Sequence, residues 1–270
     1  MAQYDLFEKK SSSSSLDIDA YLKRIKCNRE YKPSLKFLRQ IHRHHQFNIP
    51  FENLDIHIGN QIILDVNKIF NKIVNQQRGG FCYELNGLFY HLLIGLGFQA
   101  KIISASVYSE NGILGPEFDH LLIMVYLDDK QWLVDVGYGS SFLSPLEFIP
   151  GRVQMDYNRY FRIDNLPDGN FLLQSSNDSF SYKKEYVFSK KQHQFVEFIA
   201  MCQYHQTSPK SIFTQKKLIT QPTIDGRLTL TDNSLIITKM GKKEELPILN
   251  DDEFLVKLWE HFNIKLRKNQ

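Results

Sequence analysis

The strongest candidate for covalent chemistry in this chain of 270 residues is RGGFCYELNG, residues 78–87. Two glycines lead into Cys82, and an apolar pattern of helical period begins there. A thiol at a helix N-terminus meets unpaired backbone N–H groups and the positive end of the macrodipole, both of which favour the thiolate. Arg78 is expected to add to that effect. A thiol acidified in this way is a nucleophile at neutral pH. The blander reading is a small buried cysteine, with Gly79 and Gly80 merely shaping the turn, because free cysteine is commonly buried. On position alone the two readings stand even.

A nucleophilic cysteine needs a base, and nine histidines compete for that role. His42, His44 and His45 lie together in a strongly charged segment and read as solvated surface. No further ligands at set spacing make them a metal site. Nothing singles out His57, His91, His193, His205 or His261. His120 differs, because it follows the turn-rich NGILGPEFD and immediately precedes an apolar strand, which places it at a strand mouth. A histidine satisfied at the edge of the core would look the same.

Asp135 lies inside the apolar run WLVDVG, where an ionised carboxylate is costly unless paired. An imidazole N–H is a suitable partner, and that bond would orient a base. Backbone donors at the DVG bend are the alternative. Pairing about a turn at 128–130 sets Asp135 opposite Ile123, three residues short of His120. At ~3.3 Å per residue, that register does not by itself bring the two together.

The elements that must position these residues change character along the chain. Ile18, Tyr21, Leu22 and Ile25 recur at helical spacing, with Asp17 and Asp19 in the first turn. Pro33-Ser34 can open a second helix carrying Leu35, Leu38 and Ile41. Asp65 can cap a third, with the stripe Val66, Ile69, Phe70, Ile73 and Val74. A fourth runs from Cys82 through Leu85, Leu88, Phe89, Leu92 and Leu96 to Gly97. Strand formers then dominate at 101–108, 120–127 and 131–136, with Asp128-Asp129-Lys130 as a hairpin turn. Shorter strands are expected near 159–163, 171–174, 182–188, 212–220, 226–231 and 234–239, and helices at 195–204 and 252–262. Helices first, then strands, then a mixed end predict an α+β fold with about three subdomains. The serine run at 11–15 reads as the end of a mobile leader.

Hydrophobic residues at 42% and charged residues at 23% exclude wholesale disorder, a collagen-like fibre and a disulfide scaffold. The net charge of +3 is spread along the chain, which argues against a nucleic-acid partner. No apolar run approaches the ~20 residues of a membrane span. The N-terminal residues lack the apolar core of a secretory signal, and the three cysteines are widely spaced, so a reduced, cytoplasmic protein is expected.

RGGFCYELNG resembles the active-site signature of the arylamine N-acetyltransferases, in their bacterial form. IPFENLDI at 49–56, HLLIMV at 120–125, WLVDVGYG at 132–139 and YHQTSPKSIFT at 204–214 agree with it, in the family's order. The resemblance covers roughly residues 16 to 262. It implies an α+β architecture: an N-terminal helical bundle (16–97), a central β-barrel (98–205) and a C-terminal α/β lid (206–270), after a leader at 1–15.

It also implies a catalytic triad on Cys82, His120 and Asp135, with acetyl-CoA as co-substrate and no metal. Acetyl would pass through Cys82 to the nitrogen of an arylamine, arylhydrazine or N-hydroxyarylamine. Phe81, Tyr138 and Phe142 fall where the family lines its acceptor pocket. Tyr204 and Lys210 fall in a segment that approaches CoA. Lys210 stands where relatives also carry small polar residues, which bears on CoA affinity rather than chemistry. An amide synthase with the same motifs, a cysteine hydrolase, and a non-enzymatic binding module are the competing readings. The unbroken set of Cys, His and Asp argues against the last.

Overall fold

Local signals start the helices where the sequence places them. In the computed structural model, which describes residues 16–266, Asp17 Oδ1 accepts the Ala20 N–H at 2.9 Å and opens α1 (Ile18–Arg24). The serine run read as a leader lies outside the described residues. Ser34 Oγ accepts the Phe37 N–H at 3.1 Å and opens α2 (Leu35–Asn48). A two-residue strand, β1 (Phe51–Glu52), and a single turn, α3 (Leu54–His57), follow. Asp65 caps α4 (Val66–Phe70), which widens into a π-helical turn at Asn71–Asn75. α5 (Cys82–Gly95) is buried on nearly every side, and Gly97, at φ 85°, turns the chain out of it.

Eight antiparallel strands come next: β2 (Gln99–Val107), β3 (His120–Leu127), β4 (Lys130–Val134), β5 (Leu146–Glu147), β6 (Val153–Asp156), β7 (Arg159–Asn165), β8 (Phe171–Ser176) and β9 (Lys183–Phe188). Their order, β5-β4-β3-β2-β9-β8-β7-β6, makes a nearly closed barrel. Side chains bridge the last gap: Arg152 pairs with Glu147, and Asp156 of β6 accepts the Leu143 N–H. Gln154 of β6 donates from Nε2 to the Glu147 carbonyl and accepts the Glu147 N–H through Oε1, both at 2.8 Å.

Alternation along β3 and β4 divides two cores. Leu121, Ile123, Val125, Trp132 and Val134 pack toward α5 and the other helices. Leu122, Met124 and Leu133 face the barrel interior with Ile103, Phe161, Tyr186 and Phe188. His120 and Asp135 carry on the interior parity of their strands.

The hairpin joining β3 to β4 corrects the expected register. Asp128 and Asp129 both have positive φ, 52° and 57°, the signature of a two-residue type I′ turn. Leu127 therefore pairs with Lys130, and Val134 with Ile123. Continued by one residue, this register sets Asp135 opposite Leu122, two residues from His120 and on the same face. The sequence reading placed three residues in the turn, which shifted the register by one.

After a 3-10 turn (Phe195–Phe198), α6 (Ile199–Thr207) and α7 (Ile212–Gln215) lead into β10 (Leu218–Thr223), β11 (Gly226–Thr231), β12 (Ser234–Lys239), β13 (Lys242–Pro247) and α8 (Asp251–Phe262). The strand expected at 212–220 starts only at Leu218, because Ser211 Oγ accepts the Phe213 N–H and caps a helical turn. Phe254, Leu258 and Phe262 of α8 pack on Ile219, Leu230 and Leu235. β1 joins this second sheet through Phe51 opposite Thr220, so the chain after α2 is built into the C-terminal sheet. Among the described residues, no helix is long and apolar enough to cross a membrane.

Candidate active site

Cys82 is the first residue of α5 and only 3% exposed. The helix start is held by Glu84, whose Oε2 accepts the Phe81 N–H at 3.1 Å. Gly79 is required by close approach, since a Cβ there would sit 2.2 Å from the Pro50 carbonyl oxygen. Arg78, expected to support the thiolate, is committed elsewhere. Its Nε donates to Glu52 Oε1 and its Nη2 to Asp55 Oδ1, each at 2.9 Å. Lys72 joins the same buried cluster, 2.7 Å from Asp55 and 2.8 Å from Glu84.

The expectation of an acidified thiol is overturned. Burial pushes the Cys82 thiol well above its ordinary pKa, and the nearby Asp119, Cys202 and Asp135 push the same way. The Tyr83 backbone N–H works the other way and favours the thiolate. A buried thiol with carboxylates around it keeps its proton unless a base takes it.

The candidate base has a carboxylate partner. His120 Nε2 lies 3.0 Å from Asp135 Oδ2, with the two side chains 2% and 0% exposed. The carboxylate receives three more donors: the Tyr186 hydroxyl on Oδ2 at 3.3 Å, and Asn86 Nδ2 and the Gly137 N–H on Oδ1 at 2.9 Å each. Burial works to raise the Asp135 carboxyl, but the attraction of His120 and the bonds from His120, Asn86 and Gly137 outweigh it and hold the group below its ordinary value. An ionised Asp135 accepts from Nε2–H, which leaves the Nδ1 lone pair of His120 to take a proton.

Asn86 stitches this pair to the helix that begins at Cys82. It lies four residues after Cys82, on the same face of α5. It donates to the Leu121 carbonyl at 2.6 Å as well as to Asp135, and its Oδ1 accepts the Val136 N–H at 2.8 Å. Gly137 backs directly onto Cys82: a Cβ on it would lie 3.0 Å from Cys82 Cα and 2.9 Å from the Cys82 carbonyl.

The other candidates are placed unevenly. The Tyr138 ring lies 5.3 Å from His120, and its hydroxyl donates to Glu185 Oε2 at 3.2 Å. Phe81 is buried against Tyr83 and Phe213, at centroid distances of 5.1 and 6.0 Å. Phe142 sits deeper, edge-on to Phe161 and stacked at 5.7 Å on His42. Tyr204 is exposed on α6, and Lys210 is exposed in the turn between α6 and α7. Among the described residues, no group of three or more His, Cys, Asp or Glu is arranged to hold a metal ion.

The sequence reading missed Asn86, Tyr186 and two of the histidines set aside as surface. His42 and His45 are both fully buried. His42 Nε2 accepts the Asp135 N–H at 3.3 Å, and its Nδ1 donates to the Leu143 carbonyl at 3.0 Å. His45 Nδ1 meets the Tyr21 hydroxyl at 3.0 Å. Leu38, Ile41, His42 and His45 share one helical face, and that spacing was the available signal.

Comparison with known proteins places the chain among relatives of known family. The N-acetyltransferase family matches residues 34–270. Arylamine N-acetyltransferase 1 of Homo sapiens is 32% identical over 282 aligned positions, covering 94% of this chain and 96% of the human one. Among solved structures, an arylamine N-acetyltransferase of Mycobacterium marinum in complex with CoA has a TM-score of 0.84 at 27% identity, covering 92% of this chain and 93% of that one. An enzyme of Bacillus cereus described as having a unique Cys-His-Glu catalytic triad has a TM-score of 0.86 at 27% identity, covering 93% of this chain and 99% of that one. With its α5 thiol, its paired His120 and Asp135, and its near-closed barrel all in agreement, the chain belongs to the arylamine N-acetyltransferase family.

Proposed function

We propose that Cys82, His120 and Asp135 form the catalytic triad, and that Cys82 carries acetyl from acetyl-CoA to the nitrogen of an arylamine, an arylhydrazine or an N-hydroxyarylamine. The observation that carries this reading is the buried His120–Asp135 pair at 3.0 Å, stitched by Asn86 to the helix that begins at Cys82.

In the first half-reaction His120 Nδ1 takes the Cys82 proton as sulfur attacks the thioester carbonyl. The tetrahedral adduct expels CoA thiolate, which takes the proton back from the imidazolium and leaves acetyl-Cys82. In the second, the amine attacks that thioester and gives its proton to His120, and Cys82 leaves as thiolate. Asp135 holds the imidazole and stabilises its charged form. Tyr138, beside His120, is the acceptor-pocket contact best supported by position. Phe81 supports the wall next to the nucleophile. Phe142 acts from behind, by packing on His42. Tyr204 and the exposed ammonium of Lys210 meet CoA in this reading, the latter as a point charge toward a phosphate. The three cysteines are all unpaired, in keeping with a cytoplasmic setting.

The test is intact-protein mass after mixing with acetyl-CoA alone, then with an arylamine or hydrazine. An acetyl adduct on Cys82 that disappears as acetylated amine forms is the expected result. An adduct that no arylamine removes points to the amide synthase, and one lost to water alone points to the hydrolase. No adduct on a thiol that alkylates readily overturns the reading.

A further inference from the structure

Two guanidinium groups of α2 have no answering charge. Arg39 and Arg43, one helical turn apart and both exposed, make no ion pair and no hydrogen bond among the described residues. Each lies instead over an aromatic ring. Arg39 Cζ is 5.7 Å from the ring centre of Trp132, and Arg43 Cζ is 5.1 Å from that of Tyr157. A ring face attracts the cation but accepts none of its in-plane N–H groups, so both arginines keep their donors free.

Both arginines line a cleft of about 350 Å³ between α2 and the β5–β6 seam of the barrel. A space of that size takes a small molecule. Trp132, only 4% exposed, forms part of its wall, and its indole Nε1 is buried with no hydrogen-bond partner among the described residues. Buried donors are seldom left so. Two carboxylates also line the cleft, and both are engaged. Glu147 pairs with Arg152 and, at 3.0 Å, with Lys130, while Asp156 Oδ2 accepts the Leu143 N–H. Four cations (Arg39, Arg43, Lys130 and Arg152) thus meet two carboxylates, and the surplus is positive. The cleft is distinct from the triad. Trp132 packs toward the helices, whereas Asp135, three residues on, carries the parity of the barrel interior. Neither Tyr204 nor Lys210 lines it.

We propose that this cleft is a second anion site, one that binds a diphosphate group between α2 and the barrel seam. A guanidinium fork meets two phosphate oxygens at once, which a point charge does not. Residues four apart on a helix hold their Cβ atoms ~5–6 Å apart, so each arginine can take one phosphate of a single diphosphate. A surplus of two unpaired cations favours a multiply charged anion over a lone carboxylate. Arg152 approaches from the barrel side, so the bound anion ties α2 to the residues that open β6. The diphosphate can be free or carried by a nucleotide, and the chemistry of recognition is the same.

The test is isothermal titration calorimetry of the full chain with inorganic pyrophosphate and, separately, with ADP, at an ionic strength fixed by KCl. Trp132 emission is followed beside it in Trp259→Phe, which leaves one tryptophan of the two. One site with a Kd below about 1 mM is expected, with a change in emission over the same range. Arg39→Gln and Arg43→Gln should each weaken binding about 10-fold, as for a lost hydrogen bond to a charged group, and the double variant should abolish it. Tighter binding of ADP supports a nucleotide as the carrier, and pyrophosphate binding at least as tight supports the free anion. Failure of both probes to saturate by about 10 mM overturns the proposal. So does binding that the double variant retains or that leaves Trp132 emission unmoved, since the anion then sits elsewhere. Should the double variant unfold, Arg39→Lys with Arg43→Lys decides. Loss of the forks should still weaken binding, and an unchanged affinity overturns the proposal.

Discussion

The buried ring of His42 accepts the backbone N–H of Asp135 at 3.3 Å, so the residue that supports His120 with its carboxylate is itself anchored by another histidine. The two histidines act on Asp135 from different elements, α2 and β3. His42→Phe keeps the ring against Phe142 but leaves the Asp135 N–H and the Leu143 carbonyl without their partner. Leaving such groups unpaired in a buried place costs about 1–3 kcal/mol. The variant should unfold at lower urea and lose about 10-fold in kcat, with KM for acetyl-CoA little changed. Steady-state kinetics beside a urea titration checks both.

Asp135→Asn should be far more severe. The amide cannot stabilise an imidazolium, and its NH2 competes for the geometry that the carboxylate imposes on His120. A loss of about 10³-fold or more in kcat is expected, with the fold intact. Turnover within 10-fold of wild type would mean that another group orients His120.

Gly137 probes the contact between the Asp135 bend and Cys82. A methyl group there meets the backbone of Cys82 and Asn86 Nδ2 at 2.8–3.0 Å, and two of those three atoms belong to main chain. Gly137→Ala must push the bend away from α5. Activity should fall by about 100-fold, as expected for an ångström of misplacement, while thermal unfolding moves by a few degrees. An unchanged rate would show that the two elements slide freely.

Arg78 serves stability rather than the sulfur. Arg78→Met leaves Glu52, fully buried, facing Lys72 and Asp55 without its main partner. Breaking a buried pair from one side costs about 3–5 kcal/mol. Adding Glu52→Gln should recover part of that loss, which chemical denaturation of the single and double variants would reveal.

His42 and His45 make the protein sensitive to acid. Burial pulls both below the ordinary value of 6.5, so the folded state holds them neutral while the unfolded chain protonates them. With a folded pKa lower than the unfolded one, their contribution is fully present above pH 6.5 and is lost as pH falls through the folded values. Each can steepen the stability curve by up to about 1.4 kcal/mol per pH unit in that window. Urea midpoints measured from pH 7.5 to 5 should fall, and His45→Asn should flatten the slope.

Long apolar periodicities made most of the fold legible. Strand β3 was read with its observed limits, and Ser34 and Asp65 were read as helix starts. What escaped lacked local contrast. β13 is KKEELP, exposed throughout, and is a strand only because β12 pairs with it. β1 and β5 are two residues each, too short to show alternation. The register of the β3–β4 hairpin turned on whether Lys130 belonged to the turn, a choice made by two left-handed aspartates. At the site, Cys82, His120 and Asp135 sit in motifs that name themselves. Arg39 and Trp132 meet across 93 positions, and no local pattern announces such a pair. The acidity of the thiol was misread because a helix N-terminus is visible in sequence, whereas burial and opposing carboxylates are not.

The barrel closes through the side-chain amide of Gln154, which copies a peptide group and meets both backbone atoms of Glu147. A sheet that ends this way exposes no long row of free N–H and C=O groups at the join, which is the template that invites strand-by-strand polymerisation. A seam made by side chains rather than a backbone ladder is also the easiest place for the barrel to part. Gln154, with Arg152 and Asp156 beside it, therefore keeps this sheet both whole for its own chain and unavailable to another.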